Sequence, residues 1–221
     1  MAQQKRVGVL LAGCGFLDGA EIHEATCTLL SLDRRGAKAV VFAPDAPQLH
    51  VVDHRTGSPV AGESRNVLAE AARIARGQAS RLADANAAEL DALILPGGFG
   101  AAKNLCTFAT QGRAMTVRPD VEQLVLAMRV ARKPLGFVCI SPVIAAKLLG
   151  SEGVKLTIGD DAETAAAIES FGARHVACKV EQIVTDERLK VVSTPAYMLG
   201  PSIAPVAAGI DRLVSAVLEM I

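Results

Sequence analysis

Short apolar runs alternate along this chain with longer segments whose apolar residues recur at helical spacing, and the two periods separate strands from helices. Residues 7–11, 39–42, 93–95, 135–138, 155–158 and 190–193 read as strands. Residues 21–34 set Ile22, Ala25, Leu29 and Leu32 at helical spacing, and Gly36 is placed to end that helix. Further helices are predicted over 66–76, 121–131, 161–171 and 203–220, with a loop and a shorter helix from Gly97 onward. Residues 44–64, rich in turn formers with apolar couples such as Val51-Val52, read as a loop or small hairpin. Strand and helix in alternation predict an α/β fold, a mostly parallel sheet with helices on both faces.

Composition narrows this picture. The 221 residues fit one domain spanning 1–221, since no linker, charge block or repeat interrupts them. Hydrophobic residues are 51% and aromatics only 3%, so the core is expected from Ala, Val, Leu and Ile. Lys plus Arg (23) balance Asp plus Glu (23), which removes the basic footprint of a nucleic-acid binder. The opening MAQQKR and the apolar run 7–12 are too short for a secretion signal or a membrane span, so a cytoplasmic protein is expected. Five cysteines, an odd number without a CxxC pair, argue against a disulfide framework and a zinc ribbon, and for reduced thiols.

One of those thiols is placed for chemistry. In residues 133–142, KPLGFVCISP, a buried strand runs into Cys139 and then into the helix start Ser141-Pro142. A cysteine on such a turn stands at the carboxyl edge of the sheet, where α/β folds hold ligands. The following helix N-terminus favours a thiolate, which predicts that Cys139 titrates below the free-thiol value of about 8.5. The alternative is a cysteine that fills core space. Two other strands end at the same edge, one in Gly13-Cys14-Gly15, the other in Pro96-Gly97-Gly98. Gly97 and Gly98 allow backbone N–H groups to face a developing oxyanion, or simply make a tight turn. The glycines at 13, 15 and 19 miss the dinucleotide spacing. Glu21 and Glu24, three apart on the first helix, lean to one face, and a carboxylate there is an economical proton acceptor for a thiol. Complementing the helix dipole explains them equally well. His23 is expected to point away, at the surface, and none of His50, His54 and His175 is placed as a base. Cys14, Asn104 and Cys106 are candidates to line the pocket, with packing as the alternative.

The ordered motifs GCGFLDGAEIHEA, FAPD, ALILPGGFGAAKNL, KPLGFVCISP, LTIGDD and STPAYM, covering nearly the whole chain, resemble the ElbB-type proteins, described as glyoxalases or as enhancing isoprenoid (lycopene) biosynthesis. These belong to the PfpI superfamily, related to class I glutamine amidotransferases. The resemblance implies a flavodoxin-like open sheet, Cys139 as an elbow nucleophile, Glu24 as its hydrogen-bonded carboxylate, and the Gly98 and Ile140 N–H groups as the oxyanion hole. Where many relatives carry a histidine after the cysteine, this chain reads Lys155-Leu-Thr-Ile-Gly-Asp160, leaving only Thr157 or Asp160 to occupy that space. That departure argues against amide hydrolysis. It leaves a small aldehyde, converted from glyoxal to glycolate with no cofactor, no glutathione and no metal, as the implied reaction. A redox-responsive or chaperone-like protein, and an amidotransferase-like accessory, are the other readings. The resemblance also implies a homodimer.

Overall fold

The computed structural model describes residues 4–221. Met1–Gln3, the start of the polar opening stretch, lie outside the described residues. Seven strands form one sheet: β1 (Arg6–Leu10), β2 (Lys38–Ala43), β3 (Ala79–Arg81), β4 (Ala92–Leu95), β5 (Leu135–Val138), β6 (Val184–Asp186) and β7 (Val191–Thr194). Their order is β6-β7-β5-β4-β1-β2-β3, parallel throughout except for β6, which runs antiparallel to β7 at one edge. Among the described residues eight α-helices accompany them: α1 (Ile22–Arg34), α2 (Val67–Ile74), α3 (Phe99–Lys103), α4 (Phe108–Gln111), α5 (Pro119–Val130), α6 (Pro142–Leu149), α7 (Ala162–Ser170) and α8 (Ile203–Glu219).

Alternation along each strand divides the core into two. Val7 and Val9 of β1 and Ile94 of β4 pack with Leu32 of α1, Ala71 of α2 and the Ile210, Leu213 and Val217 stripe of α8. Leu10, Leu93, Leu95 and Phe137 point the other way, onto Leu124 and Met128 of α5 and Ile144 and Leu149 of α6. Each buried Leu or Ile adds about 1.5–3 kcal/mol of transfer free energy, an upper bound because the unfolded chain is already partly collapsed.

The chain passes from β1 outward through β2 and β3, then returns to the other side of β1 as β4 and β5. Between β1 and β4 the connections diverge, which opens a crevice at the carboxyl ends of the strands. One predicted strand differs from the sequence reading, and the two edge strands β3 and β6 were not predicted. Residues 155–158 do not enter the sheet; Lys155–Leu156 pairs with Arg174–His175 in a separate ribbon. The loop over 44–64 holds a minimal hairpin, Val52–Asp53 with Ser58–Pro59.

Candidate active site

The strand β5 ends in a strained elbow. Cys139 has φ +61°, a left-handed conformation that costs a non-glycine residue roughly 1–2 kcal/mol. The surroundings hold it there. Its N–H donates to Thr194 O at 2.9 Å, and the Ser141 N–H donates to Val138 O at 3.0 Å. The buried Ser141 hydroxyl donates to Leu95 O and accepts from the Val138 N–H, both at 2.8 Å, so one side chain ties the ends of β4 and β5 together. Pro142 then opens α6, where its missing N–H costs nothing.

Glu24 arrives from the other side of the crevice. Glu21, in extended conformation, caps α1 by accepting the Glu24 N–H at 2.7 Å. That cap fixes the first turn and turns Glu24 inward, where it is fully buried. Its Oε2 accepts the Gly97 N–H at 2.9 Å and its Oε1 the Tyr197 N–H at 3.3 Å, and its carboxyl and the Cys139 side chain close on Gly97 together. Gly97 has no alternative as a residue here, because a Cβ would stand 2.5 Å from Cys139 Cβ and 2.8 Å from Glu24 Oε2. Its N–H therefore orients the carboxylate and is not an oxyanion donor, a correction to the sequence reading. The N–H groups of Gly98 and Ile140 are directed at the Cys139 sulfur.

Burial dominates the electrostatics. The Glu24 carboxyl is pushed up to about 8, first by desolvation and then by the charge of Glu21, against the hydrogen bonds from Tyr197, Gly97 and Cys139. The Cys139 thiol is raised well above its ordinary value, by desolvation and then by the Glu24 charge, against the Gly98 and Ile140 N–H groups. The expectation of a thiol titrating below the free value is thus overturned: the helix terminus does not offset the loss of water around a side chain only 7% exposed. Once Glu24 loses its proton, it becomes the acceptor for the thiol proton, and the resulting thiolate finds three donors: two backbone N–H groups and the protonated carboxyl.

Cys139 opens into a cavity of about 1100 Å³, whose walls include Glu21, His23, Gly98, Ile140 and Tyr197. His23 departs from expectation. It lines this cavity, and its Nδ1 shares a 2.8 Å hydrogen bond with the Tyr197 hydroxyl. Of the remaining pocket candidates, Glu21 lines the cavity, whereas Cys14 and Asn104 do not. Asn104 is a buried brace, donating to Ala12 O and Asp18 O and accepting from the Leu49 N–H. Cys14 is half-buried, its thiol pushed up by burial and by the Glu70 charge. Cys106 is buried, donating to Ala101 O. Thr157 is buried away from the cavity and accepts the Gly159 N–H, so neither it nor the exposed Asp160 fills the histidine's place. Among the described residues, no cluster of three or more His, Cys, Asp and Glu has a metal-holding arrangement, and no helix is long and apolar enough to cross a membrane.

No family model matches the chain. It is 48% identical to the human glutamine amidotransferase-like class 1 domain-containing protein 3, mitochondrial, over 97% of this chain and 83% of that protein. A crystal structure from Ehrlichia chaffeensis, described as an isoprenoid biosynthesis protein with an amidotransferase-like domain, superposes with a TM-score of 0.91 at 38% identity, covering 98% of this chain and 99% of that one. A DJ-1 superfamily protein of Agrobacterium tumefaciens shares the fold at a TM-score of 0.57 and 16% identity, covering 96% and 91%. With an elbow cysteine, an inward carboxylate and these relatives, the chain belongs to the glutamine amidotransferase-like class 1 family, on the fold of the DJ-1/PfpI superfamily.

Proposed function

We propose that the protein is a cofactor-independent glyoxalase that isomerises and hydrates glyoxal to glycolate through a thioester on Cys139. The observation that carries this reading is the juxtaposition of the buried Glu24 carboxyl and the Cys139 side chain against Gly97, with Cys139, Gly98 and Ile140 lining one open cavity. Glu24 takes the thiol proton as sulfur bonds to one carbonyl carbon. The carbonyl electron pair moves to oxygen, which the two N–H groups hold until the carboxyl returns the proton. Glu24 next removes the hydrogen from that carbon, an enediol forms, and the same carboxyl protonates the neighbouring carbon. One carbon is oxidised and the other reduced within the substrate, so no outside redox partner enters. Water then attacks the thioester, and the thiolate departs with glycolate released.

The last step needs a base that water can reach. Glu24 works in this reading on the Cys139 side of the bound substrate, within reach of its carbons, whereas His23 lines the open cavity with half its side chain exposed, beside the Tyr197 hydroxyl. His23 therefore takes the water proton in this reading, which supplies the imidazole that the segment after the elbow lacks. The oxidation-sensor alternative has weaker support, since a sensor has no use for the backbone donors and the Glu24 carboxyl that stand around Cys139. A reducing compartment suits the five free cysteines: the cytoplasm, or the mitochondrion named for the human relative. A homodimer belongs to the same reading, supported by Ile22 and Leu30 on α1 and Ile203 on α8, all left exposed. A role linked to isoprenoid biosynthesis, the process named in the description of the Ehrlichia protein, is part of the same reading.

The test is glycolate release from glyoxal in metal-free, glutathione-free buffer. Cys139→Ala is expected to abolish turnover and Glu24→Gln to lower it by about 10²–10⁴-fold. Full activity in either variant contradicts the assignment.

A further inference from the structure

Aromatic side chains are scarce in this chain: six Phe, one Tyr and no Trp. Four of these seven, Phe16, Phe99, Phe108 and Tyr197, line the cavity above Cys139. Two of them are far from buried, with Phe16 47% and Phe99 49% exposed. A large apolar side chain left in water costs hydrophobic free energy, and a cluster of them in a concavity marks a binding surface. The position is also fixed. Phe16 O accepts the Phe99 N–H at 2.7 Å, and the Phe16 ring meets the His54 ring edge-on at 5.4 Å, so loop and helix start hold the two rings at the mouth. Met198, Ala102 and Ile140 continue the apolar wall toward the sulfur.

The cavity volume of about 1100 Å³ lies just above the range for drug-sized ligands, roughly 300–1,000 Å³. The smallest dialdehyde occupies only its floor. We infer that the site is built for carbonyl compounds whose reactive end sits on Cys139 and whose apolar, preferably aromatic, body lies against Phe16, Phe99 and Phe108. This rests on the reading of Cys139 as the nucleophile and adds a substrate class to it. Glyoxal is then the minimal substrate, and aryl 2-oxoaldehydes are better ones.

Two measurements separate this inference from the reaction assigned above. In turnover, phenylglyoxal is expected to exceed glyoxal in kcat/KM by about tenfold or more, equivalent to about 1.4 kcal/mol. Phe16→Ala and Phe108→Ala are expected to collapse that ratio. In alkylation, which needs no turnover, N-benzyl iodoacetamide is expected to label Cys139 about tenfold faster than iodoacetamide, after division by their ratio on free cysteine. Phe16→Ala removes the advantage. A normalised alkylation ratio near one in the wild type overturns the inference, as does a ratio that Phe16→Ala and Phe108→Ala leave untouched. A change of oligomeric state in Phe16→Ala with the ratio unmoved also overturns it, and assigns the rings to a subunit contact. Preserved alkylation preference without glyoxal turnover supports the apolar site while removing the glyoxalase reaction.

Discussion

Glu24 is ionised with difficulty where it stands, and that single fact sets both the pH dependence of the reaction and part of the stability. Its carboxyl is raised from an ordinary 4.5 to about 8, so only roughly a tenth of it is charged at pH 7. In the proposed reaction the charged form accepts the thiol proton, so kcat/KM is expected to rise with pH through about 8, and Glu24→Gln to lose that limb; a flat wild-type profile between about pH 6 and 9 counts against the carboxylate as base. Stability moves the opposite way. Between pH 4.5 and 8 the unfolded chain releases the proton that the folded chain keeps, so this group's contribution is full below 4.5 and is lost as pH rises to about 8. The slope is at most about 1.4 kcal/mol per pH unit. Denaturant melts across this window should decline less steeply for Glu24→Gln than for wild type, and equal slopes would show the carboxyl to be less perturbed. Cys139 and the Gly97-Gly98 loop were legible in the hydrophobic pattern, because each stands at the end of a buried strand, whereas the pattern left Glu24 beside Glu21 and only the family resemblance singled out Glu24 and Ile140. His23 was legible in neither. Its placement on the far face assumed that Glu21 belongs to the helix, whereas Glu21 is the extended cap, and the helical wheel does not apply across a cap.

At the scale of elements, the elbow is secured by Ser141 and the sheet by α8. Ser141→Ala leaves Leu95 O and the Val138 N–H without their buried partner and is expected to cost about 1–3 kcal/mol, read as a fall in melting temperature with a parallel loss of turnover. An unshifted melting curve would show that the elbow is held by its backbone bonds alone. Leu213→Ala in α8, at the centre of the stripe that packs under β5, should cost about 2–5 kcal/mol in denaturant unfolding; less than 1 kcal/mol, about the size of an ordinary surface change, would mean that the stripe is loosely packed. The strands that the sequence revealed are those buried on both faces, whose continuous apolar runs leave no other reading. Those it concealed are the two edges. β3, Ala79-Ser80-Arg81, is half-exposed and polar, and β6 is a brief Val-Thr-Asp, so neither carries a hydrophobic run. The misplaced strand at 155–158 is apolar enough to be buried but pairs outside the sheet, a choice made by tertiary contacts.

For the molecule as a whole, topology brings the chemistry together. The loops after β1, β4, β5 and β7 deliver Glu24, Gly97 with Gly98, Cys139 with Ile140, and Tyr197 to one crevice, although they lie far apart in sequence. Parallel strands make this unavoidable, since every carboxyl end points the same way and the crevice opens where the winding reverses. The fold is shared with proteins of many names, so function here is decided by the elbow, the carboxylate and the cavity wall. The most direct measurement is rapid-quench mass spectrometry of the Cys139 peptide after mixing with glyoxal. The account predicts an adduct of one glyoxal mass on Cys139 that decays as glycolate appears and that accumulates in His23→Gln, where the water-activating imidazole is gone. Glycolate formed without any adduct, or formed undiminished by Cys139→Ala, would contradict it.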